Sequence, residues 1–216
     1  MKRFLIFIFT VICLSWYAAY ADNSNRDINS TLDNLEKKMS GIESIQTDFV
    51  QEKDLALFNE KLILKGKVFI KKPMLLSWRV FTPMRYSIVI RGSTISQWDE
   101  DTNKVQQVSM ASNPSFQAAI AQMQNWFSGA YKSMQSDYEI TLIKDNPLAL
   151  VFIPKAGSLP QNFIKRVEIV FQDDLRYLKE ISISEKNGDH TRLKFMNTEI
   201  NQPIDAKTWE AKSSVR

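Results

Sequence analysis

The chain is poor in the residues that most catalytic and metal-binding sites require. Its 216 residues include one cysteine, Cys13, and one histidine, His190. Because thiolates and imidazoles are the usual nucleophiles and zinc ligands, this scarcity excludes Cys–His catalysis and most zinc sites. The glycine-rich phosphate-binding motifs and the G-x-S-x-G motif are also missing from the sequence. We therefore predict that the protein is not an enzyme, with no catalytic residue, no metal and no cofactor.

Two polar features remain as weak candidates for chemistry. His190 follows the turn sequence Asn187-Gly188-Asp189, and an acidic cluster occupies residues 99–101. The acidic cluster lacks the spacing and the glycine of a calcium loop, so we interpret it as a solvated hairpin tip. A hydrolase is the alternative from another functional class, and it needs a clustered acid–base pair that the scattered carboxylates do not offer.

No apolar run is long enough to cross a membrane. The run from Phe4 to Leu14 has eleven residues, against roughly 20 for a membrane-spanning helix. It follows Lys2 and Arg3 and precedes Ala19-Tyr20-Ala21, the pattern of a secretory signal peptide. We predict a signal peptide over residues 1–21, cleaved after Ala21, and a single domain over residues 22–216.

The exported chain would have neither a thiol nor a strong charge. Cys13 leaves with the signal peptide, and a sizeable exported domain without disulfides fits the periplasm of a Gram-negative bacterium. The loss of Lys2 and Arg3 lowers the formal net charge from +4 to +2. A chain this close to neutral, with scattered cations, is not expected to bind nucleic acid.

Hydrophobic periodicity predicts two helices and many strands. Apolar residues three and four apart favour a helix over Asp27–Ile45, and a second apolar stripe favours a helix over Ser112–Met134. Elsewhere the period is two, with turn residues between the runs. The predicted strands occupy residues 62–70, 76–80, 86–90, 95–98, 105–110, 138–143, 148–153, 163–171, 177–184 and 192–197.

The element count predicts a mostly β protein of the α+β kind. About ten or eleven short strands with local connections favour an antiparallel meander, and a sheet of that size tends to curl. The residues also include an apolar surplus of tryptophan, phenylalanine and methionine, which fits either a filled core or a cavity for apolar ligands. Composition leaves both open.

One ordered set of residues resembles a known family. Phe49-Val50-Gln51 is followed by Gly66, Lys71-Lys72-Pro73, Trp78, Pro83, Gly92 and Trp98-Asp99. This order and spacing is similar to LolA, the periplasmic carrier that moves lipoproteins from the inner to the outer membrane. The second half of the chain is similar only in the order of its elements.

The resemblance implies an incomplete antiparallel β-barrel, closed by a helical lid around an apolar cavity. It implies a monomeric carrier that binds the acyl chains of lipoproteins. Its expected partners are acylated lipoproteins, an inner-membrane ABC lipoprotein-release transporter and an outer-membrane lipoprotein acceptor. Carried over by position, the cavity residues are Val68, Ile70, Trp78, Val80, Ile88 and Ile90, and the lid residues are Phe116, Ile120, Met123 and Phe127.

Three points stay open at this stage. If the strand parity is reversed, Phe69, Phe81 and Val89 face the cavity instead. The best-known LolA proteins have a gating arginine where this chain has Lys72, which cannot make a forked contact. Such departures leave two alternative functions: a carrier of another lipid or glycolipid, or a periplasmic domain that senses lipoproteins and regulates a response.

Overall fold

The computed structural model describes residues 17–57, 60–73, 75–109 and 123–212, with side chains from residue 28 onward apart from Val108. Among these residues, no helix combines the length and the hydropathy that a bilayer span requires.

The first helix, α1, packs by the predicted apolar stripe. It spans Tyr17–Ser40, and Leu32, Leu35 and Met39 are almost completely buried along one side of it. The predicted bounds, Asp27–Ile45, were wrong at both ends. The helix starts earlier, and it ends before Gly41, after which Ile45 already belongs to a strand. A buried apolar residue fits the stripe of a helix and also the alternation of a strand, so the stripe alone did not determine where the helix ends.

Eleven antiparallel strands form one sheet, which confirms the predicted fold class. Among the described residues the sheet is open, with a different strand at each edge, and resembles half of a barrel. Its strands are β1 (Ser44–Leu55), β2 (Glu60–Lys71), β3 (Leu75–Thr82), β4 (Tyr86–Arg91), β5 (Thr94–Asp99), β6 (Val105–Ser109), β7 (Tyr138–Asp145), β8 (Leu148–Pro154), β9 (Ile164–Phe171), β10 (Leu178–Glu185) and β11 (His190–Ile200).

The strand order shows two meanders joined at one seam. The order is β6-β5-β4-β3-β2-β1-β11-β10-β9-β8-β7, so every neighbouring pair but one is consecutive in sequence. The exception pairs β1 with β11, and there Phe49 lies opposite Phe195. The strand predictions agree with β2 to β11 to within a few residues, whereas β1, at the seam, was not predicted as a strand.

A glycine at the centre of the sheet lets aromatic rings lie close to the backbone. Gly66 on β2 is opposite Phe49 on β1 and Val80 on β3. The rings of Phe49 and Trp78 lie 4.2 Å apart between their centroids on the same face. A β-carbon at residue 66 would overlap the carbonyl oxygen of Arg79 and lie 2.9 Å from a ring carbon of Phe49. Only glycine fits this position without moving β3.

We expect Gly66→Ala to lower the free energy of unfolding by about 3 kcal/mol, because the new methyl group meets backbone that cannot give way. Gly41→Ala is the matched control, since nothing lies within 4 Å of the added carbon there, and its effect should be within about 0.5 kcal/mol. Denaturant titration of both variants measures the difference. Equal stabilities would contradict the close approach at Gly66.

The second predicted helix is only partly among the described residues. Residues 123–128 are helical. Gly129 follows with φ of +84°, a conformation that glycine adopts at little cost, and a 3-10 helix then spans Tyr131–Ser136. The predicted helix, Ser112–Met134, was therefore too long at its C-terminal end, where Ala130 is not helical.

The C-terminal segment is held against the outer face of the sheet by side chains of β3 and β4. The guanidinium of Arg79 donates hydrogen bonds of 2.7 Å to the carbonyl oxygens of Thr208 and Glu210. Ser87 donates to the carbonyl oxygen of Ala211. Burial lowers the pKa of Arg79, and the Glu210 carboxylate opposes that shift. The buried cation thus joins the last described turn to the middle of the sheet.

Replacing Arg79 with methionine should release this segment, because the buried carbonyl group of Thr208 and the partly buried carbonyl group of Glu210 lose a charged donor. The expected cost is roughly 3 kcal/mol. Arg91→Met is the control, since Arg91 is exposed and donates a single bond of 3.0 Å to the carbonyl oxygen of Trp209. Hydrogen exchange of residues 206–211 should accelerate strongly in the first variant and little in the second. Unchanged protection in Arg79→Met would rule out this anchoring.

Candidate functional site: the apolar interior of the half-barrel

The half of the interior formed by β7 to β11 is filled with aromatic rings. The ring of Tyr131 meets Phe171 edge-on at 5.4 Å and Phe152 at 5.9 Å between centroids. Tyr138 also packs on Phe152, at 6.0 Å. These four side chains are almost fully excluded from solvent. Edge-to-face contacts of this kind stabilise a packed core, so this half has little space for a ligand.

Phe127, from the short helical segment 123–128, packs against this half of the interior. Its ring stacks on Tyr177 at 6.2 Å and meets Phe195 edge-on at 5.7 Å. Tyr131 donates a hydrogen bond of 2.6 Å from its hydroxyl to the carbonyl oxygen of Trp126. The segment is therefore fixed both by ring packing and by a buried hydrogen bond.

The half formed by β2 to β5 is more open, and it contains the predicted cavity residues. The six residues share the face of the sheet that packs on the core. Three of them, Val68, Val80 and Ile90, are at most 1% exposed. The other three are partly exposed and pack against that core at its margin: Ile70, Trp78 and Ile88. The structure thus brings the six side chains together on one apolar wall.

The residues that would face the cavity if the strand parity were reversed do not lie on this wall. Phe69 and Val89 are buried outside the main core cluster, on the same face of the sheet as Lys67, Arg79 and Ser87. They belong to the outer face, where the C-terminal segment is anchored. Phe81 is half-buried at a bulge between β2 and β3.

Two of the four predicted lid residues can be placed. Phe127 is buried in the aromatic cluster, and Met123 is partly buried against the same core. Phe116 and Ile120 lie outside the described residues. The described end of the segment is held at Gly129, where an added β-carbon would lie 2.7 Å from the β-carbon of Met39 on α1.

A small cavity lies where the start of β1 and the connection before it, the β2–β3 turn and segment 123–128 meet. Its volume is about 80 Å³, less than the roughly 150 Å³ of an engineered apolar cavity that holds benzene. It cannot accommodate an acyl chain without enlargement. The residues around it are mainly apolar and include Ile42, Ile45, Ile70, Leu75, Leu76 and Phe127.

Lys72 lies at the edge of this cavity, where the resemblance places a gating residue. Glu43, Gln124 and Ser128 also line the edge. The backbone of Lys72 donates a hydrogen bond of 2.9 Å to the carbonyl oxygen of Glu43, which ties the β2–β3 turn to the connection between α1 and β1. Lys72 is half-buried at this edge.

Several residues of this interior were not among the predicted site residues. Ile42 and Ile45 line the cavity, but the prediction placed them on one long helix. Leu76 shares the wall because it lies opposite Ile70 and Ile90 on the neighbouring strands, a position that the alternation along β3 could have indicated. Tyr177 has no distinctive signal in the sequence, because it lies in a turn.

Two buried tyrosines make the interior sensitive to alkaline pH. Burial raises the pKa of Tyr177 and of Tyr131 well above the usual tyrosine value. Electrostatic repulsion from Tyr177 raises the pKa of Tyr131 further. The hydroxyl of Tyr177 and the indole nitrogen of Trp126 are buried, and neither has a hydrogen-bond partner among the residues that the structure describes. An unpaired buried hydroxyl costs free energy in the folded state.

The weak polar candidates form no reactive cluster. His190 lies at the start of β11, with its Nδ1 3.3 Å from the hydroxyl of Ser184. Asp99 accepts hydrogen bonds from the backbone and the hydroxyl of Thr102, and these lower the pKa of the carboxyl group. Within the described part of the chain, no three histidine, cysteine or acidic side chains gather where they could hold a metal ion.

We expect stability to fall above about pH 10, where tyrosines of the unfolded chain ionise but those of the folded core remain protonated. Tyr131 and Tyr177 each contribute up to about 1.4 kcal/mol of loss per pH unit there. Tyr177→Phe should make this decline less steep and, near neutral pH, should be neutral or stabilise by about 1 kcal/mol. Denaturant titrations between about pH 8 and pH 11 test this, and an unchanged slope would contradict burial of the Tyr177 hydroxyl in the folded state.

Comparison with known families gives a match over most of the chain. Residues 40–212 match the family sequence model described as outer membrane lipoprotein carrier protein LolA. An outer-membrane lipoprotein carrier protein of Coxiella burnetii is 24% identical over 152 residues, 69% of this chain and 67% of that protein. An uncharacterized protein of Rickettsia prowazekii is 29% identical over 113 residues, 52% of this chain, and the alignment spans about half of that relative, 48%.

Solved structures support the same fold. The structure of the MucA/MucB complex of Pseudomonas aeruginosa contains a chain that superposes with a TM-score of 0.51 and 14% identity. The superposition covers 86% of this chain and 61% of that chain. At this identity the likeness concerns the fold alone.

Proposed function

This chain belongs to the LolA family, and on that premise we propose that it is a periplasmic carrier that binds acyl chains of lipoproteins and moves them from the inner to the outer membrane. The observation that carries the proposal is the apolar wall of β2 to β4, whose exposed margin consists of Ile70, Trp78 and Ile88. Each methylene group that leaves water on such a wall contributes about 0.8 kcal/mol.

We propose that the structure is the closed state of such a carrier. A cavity of about 80 Å³ is too small for an acyl chain, so we propose that segment 123–128 moves away from the sheet on loading. The backbone changes direction next to that segment at Gly129, whose φ is +84°. The ring contacts of Phe127 with Tyr177 and Phe195 then have to be replaced by contacts with the ligand.

This exchange of contacts explains how a carrier can release its cargo. The closed state already buries apolar surface, so the net gain on binding is the difference between ligand contacts and the ring contacts that they replace. A modest difference allows a receiving protein with a higher affinity to take the cargo. We propose that Lys72, at the cavity edge, marks the mouth through which the cargo enters and leaves.

The proposed partners follow from the family. They are an inner-membrane ABC transporter that releases acylated lipoproteins to the carrier, and an outer-membrane acceptor that receives them. The protein is proposed to act as a monomer after removal of residues 1–21, and a related lipid or glycolipid is the alternative cargo.

A lipoprotein-sensing regulatory domain is the second candidate function. The filled interior favours it, because a domain that only recognises other proteins needs no empty cavity. The likeness to a chain of the MucA/MucB complex supports it at the level of the fold.

We expect Trp78→Asp to abolish uptake of a fluorescent fatty-acyl probe, because a carboxylate on the apolar wall must stay hydrated. Trp98→Asp is the matched control: Trp98 is also half-buried, but it lies opposite Ser87 on the outer face of the sheet. Mass spectrometry of protein purified from periplasm without detergent identifies the natural cargo.

The outcomes separate the candidate functions. Bound triacylated lipoprotein in wild type, lost in Trp78→Asp and kept in Trp98→Asp, supports the lipoprotein carrier. A different bound lipid keeps the wall and changes the cargo. A wild-type protein that carries nothing and takes up no probe would refute the carrier and favour the sensor.

A further inference from the structure

Tyr177 places a hydroxyl group inside the apolar interior. Its side chain is 1% exposed, and among the residues that the structure describes the hydroxyl has no hydrogen-bond partner. Most buried polar atoms of folded proteins are paired, and a phenylalanine would fill nearly the same space without an unpaired atom. Departures of this kind concentrate at functional sites. The hydroxyl is therefore a candidate donor to a group that arrives with a ligand.

The neighbouring phenol, that of Tyr131, locates this hydroxyl in the interior. Tyr131 donates a hydrogen bond of 2.6 Å from its hydroxyl to the carbonyl oxygen of Trp126. Because repulsion from Tyr177 raises the pKa of Tyr131, the two hydroxyls lie close enough to interact. The Tyr177 hydroxyl thus lies near segment 123–128, to which Trp126 belongs. Burial raises the pKa of Tyr177, so the hydroxyl stays protonated at neutral pH and can donate.

Phe127 connects Tyr177 with the small cavity. Its ring lines the cavity and also stacks on the ring of Tyr177, with centroids 6.2 Å apart and planes 14° apart. Under the proposed function Phe127 leaves with segment 123–128 when cargo is loaded. Its departure uncovers the ring of Tyr177 and joins the space beside it to the cavity.

Tyr177 lies at the end of the sheet where the proposed mouth is. It belongs to the β9–β10 turn, and Lys72 belongs to the β2–β3 turn. The antiparallel pairings from β2 through β1, β11 and β10 to β9 bring these two turns to the same end of the strands. The polar head of an acyl chain that enters beside Lys72 therefore comes to the end of the interior that contains the Tyr177 hydroxyl.

We propose that the Tyr177 hydroxyl donates a hydrogen bond to the ester carbonyl oxygen at the head of an acyl chain, once the cargo has displaced Phe127. The inference rests on the proposed carrier function and names the part of the cargo that the site recognises. Both a lipoprotein and a free glycerolipid carry this ester, and mass spectrometry of the protein purified from periplasm tells the two sources apart.

Such a bond gives the site a selectivity that the apolar wall lacks. Aliphatic side chains bind any chain of similar length, whereas a buried donor disfavours an analogue that leaves it unpaired. The hydroxyl is unpaired in the closed state and gains an acceptor in the loaded state, so the bond also favours loading.

Two matched lipids test the proposal. A monoacylglycerol and the corresponding monoalkylglycerol ether have the same chain, but only the first has a carbonyl group. Displacement of a fluorescent fatty-acyl probe measures both affinities. Wild type should bind the ester about tenfold more tightly than the ether, as one additional buried hydrogen bond predicts. Tyr177→Phe should bind both lipids with the affinity that wild type has for the ether.

Tyr138→Phe is the matched control. Tyr138 is also 1% exposed, but it packs on Phe152 in the filled half of the interior, at 6.0 Å between centroids. Neither of these two side chains lines the cavity, so this variant should keep the tenfold preference. Denaturant titration at neutral pH should find Tyr177→Phe at least as stable as wild type, and a lost preference then cannot come from a damaged fold.

Infrared spectroscopy of an isotope-labelled ester carbonyl reports the bond directly. Hydrogen bonding weakens the carbonyl double bond, so the stretching band of the bound ester should lie at a lower wavenumber in wild type than in Tyr177→Phe. A purely structural role of Tyr177 would leave this band in the same place in both proteins.

The outcomes separate this inference from the carrier function. If wild type binds ester and ether equally, or if Tyr177→Phe keeps the preference, the inference is overturned and the carrier function stands. A wild-type protein that takes up no probe and binds neither lipid would refute the carrier function, and the inference with it.

Discussion

The pairing of β1 with β11 is the constraint on which the rest of the structure depends. Each meander alone would expose a long inner edge, and the two edges satisfy each other at this seam. The register brings Phe49 opposite both Gly66 and Phe195. The seam thereby makes one continuous apolar face from an aromatic half and an aliphatic half, and the whole interior is built on that face.

The two halves of this face differ in how completely they are filled. Rings from β8, β9 and the 3-10 helix Tyr131–Ser136 fill the aromatic half, and Phe127 extends that packing over the seam. The aliphatic half ends in partly exposed side chains, among them Trp78. The packed half leaves little space for a ligand, while the margin of the other half is where, under the proposed function, an acyl chain would gain contacts.

The outer face of the sheet and the β8–β9 loop differ in how far their apolar side chains are buried. The outer face of β3 and β4 is covered by the C-terminal segment through Arg79, so apolar side chains such as Phe69 and Val89 are buried on that side as well. This double burial explains why the strand parity was hard to predict: both faces of these strands are rich in apolar residues, and alternation alone does not identify the inner one. The β8–β9 loop, by contrast, leaves the side chain of Phe163 exposed to solvent.

The sequence by itself determined the local features of this protein. Period-two patterns identified β2 to β11, the period of 3.6 identified the buried stripe of α1, and the ordered set from Phe49 to Asp99 identified the family. Only the tertiary structure decided the role of β1. Its inner residues include Gln51 and Lys53 as well as Phe49, so its weak alternation depends on partners that are far away in sequence. The same holds for the cavity volume and for the burial of the Tyr177 hydroxyl, because packing is a property of side chains that meet only after the two meanders join.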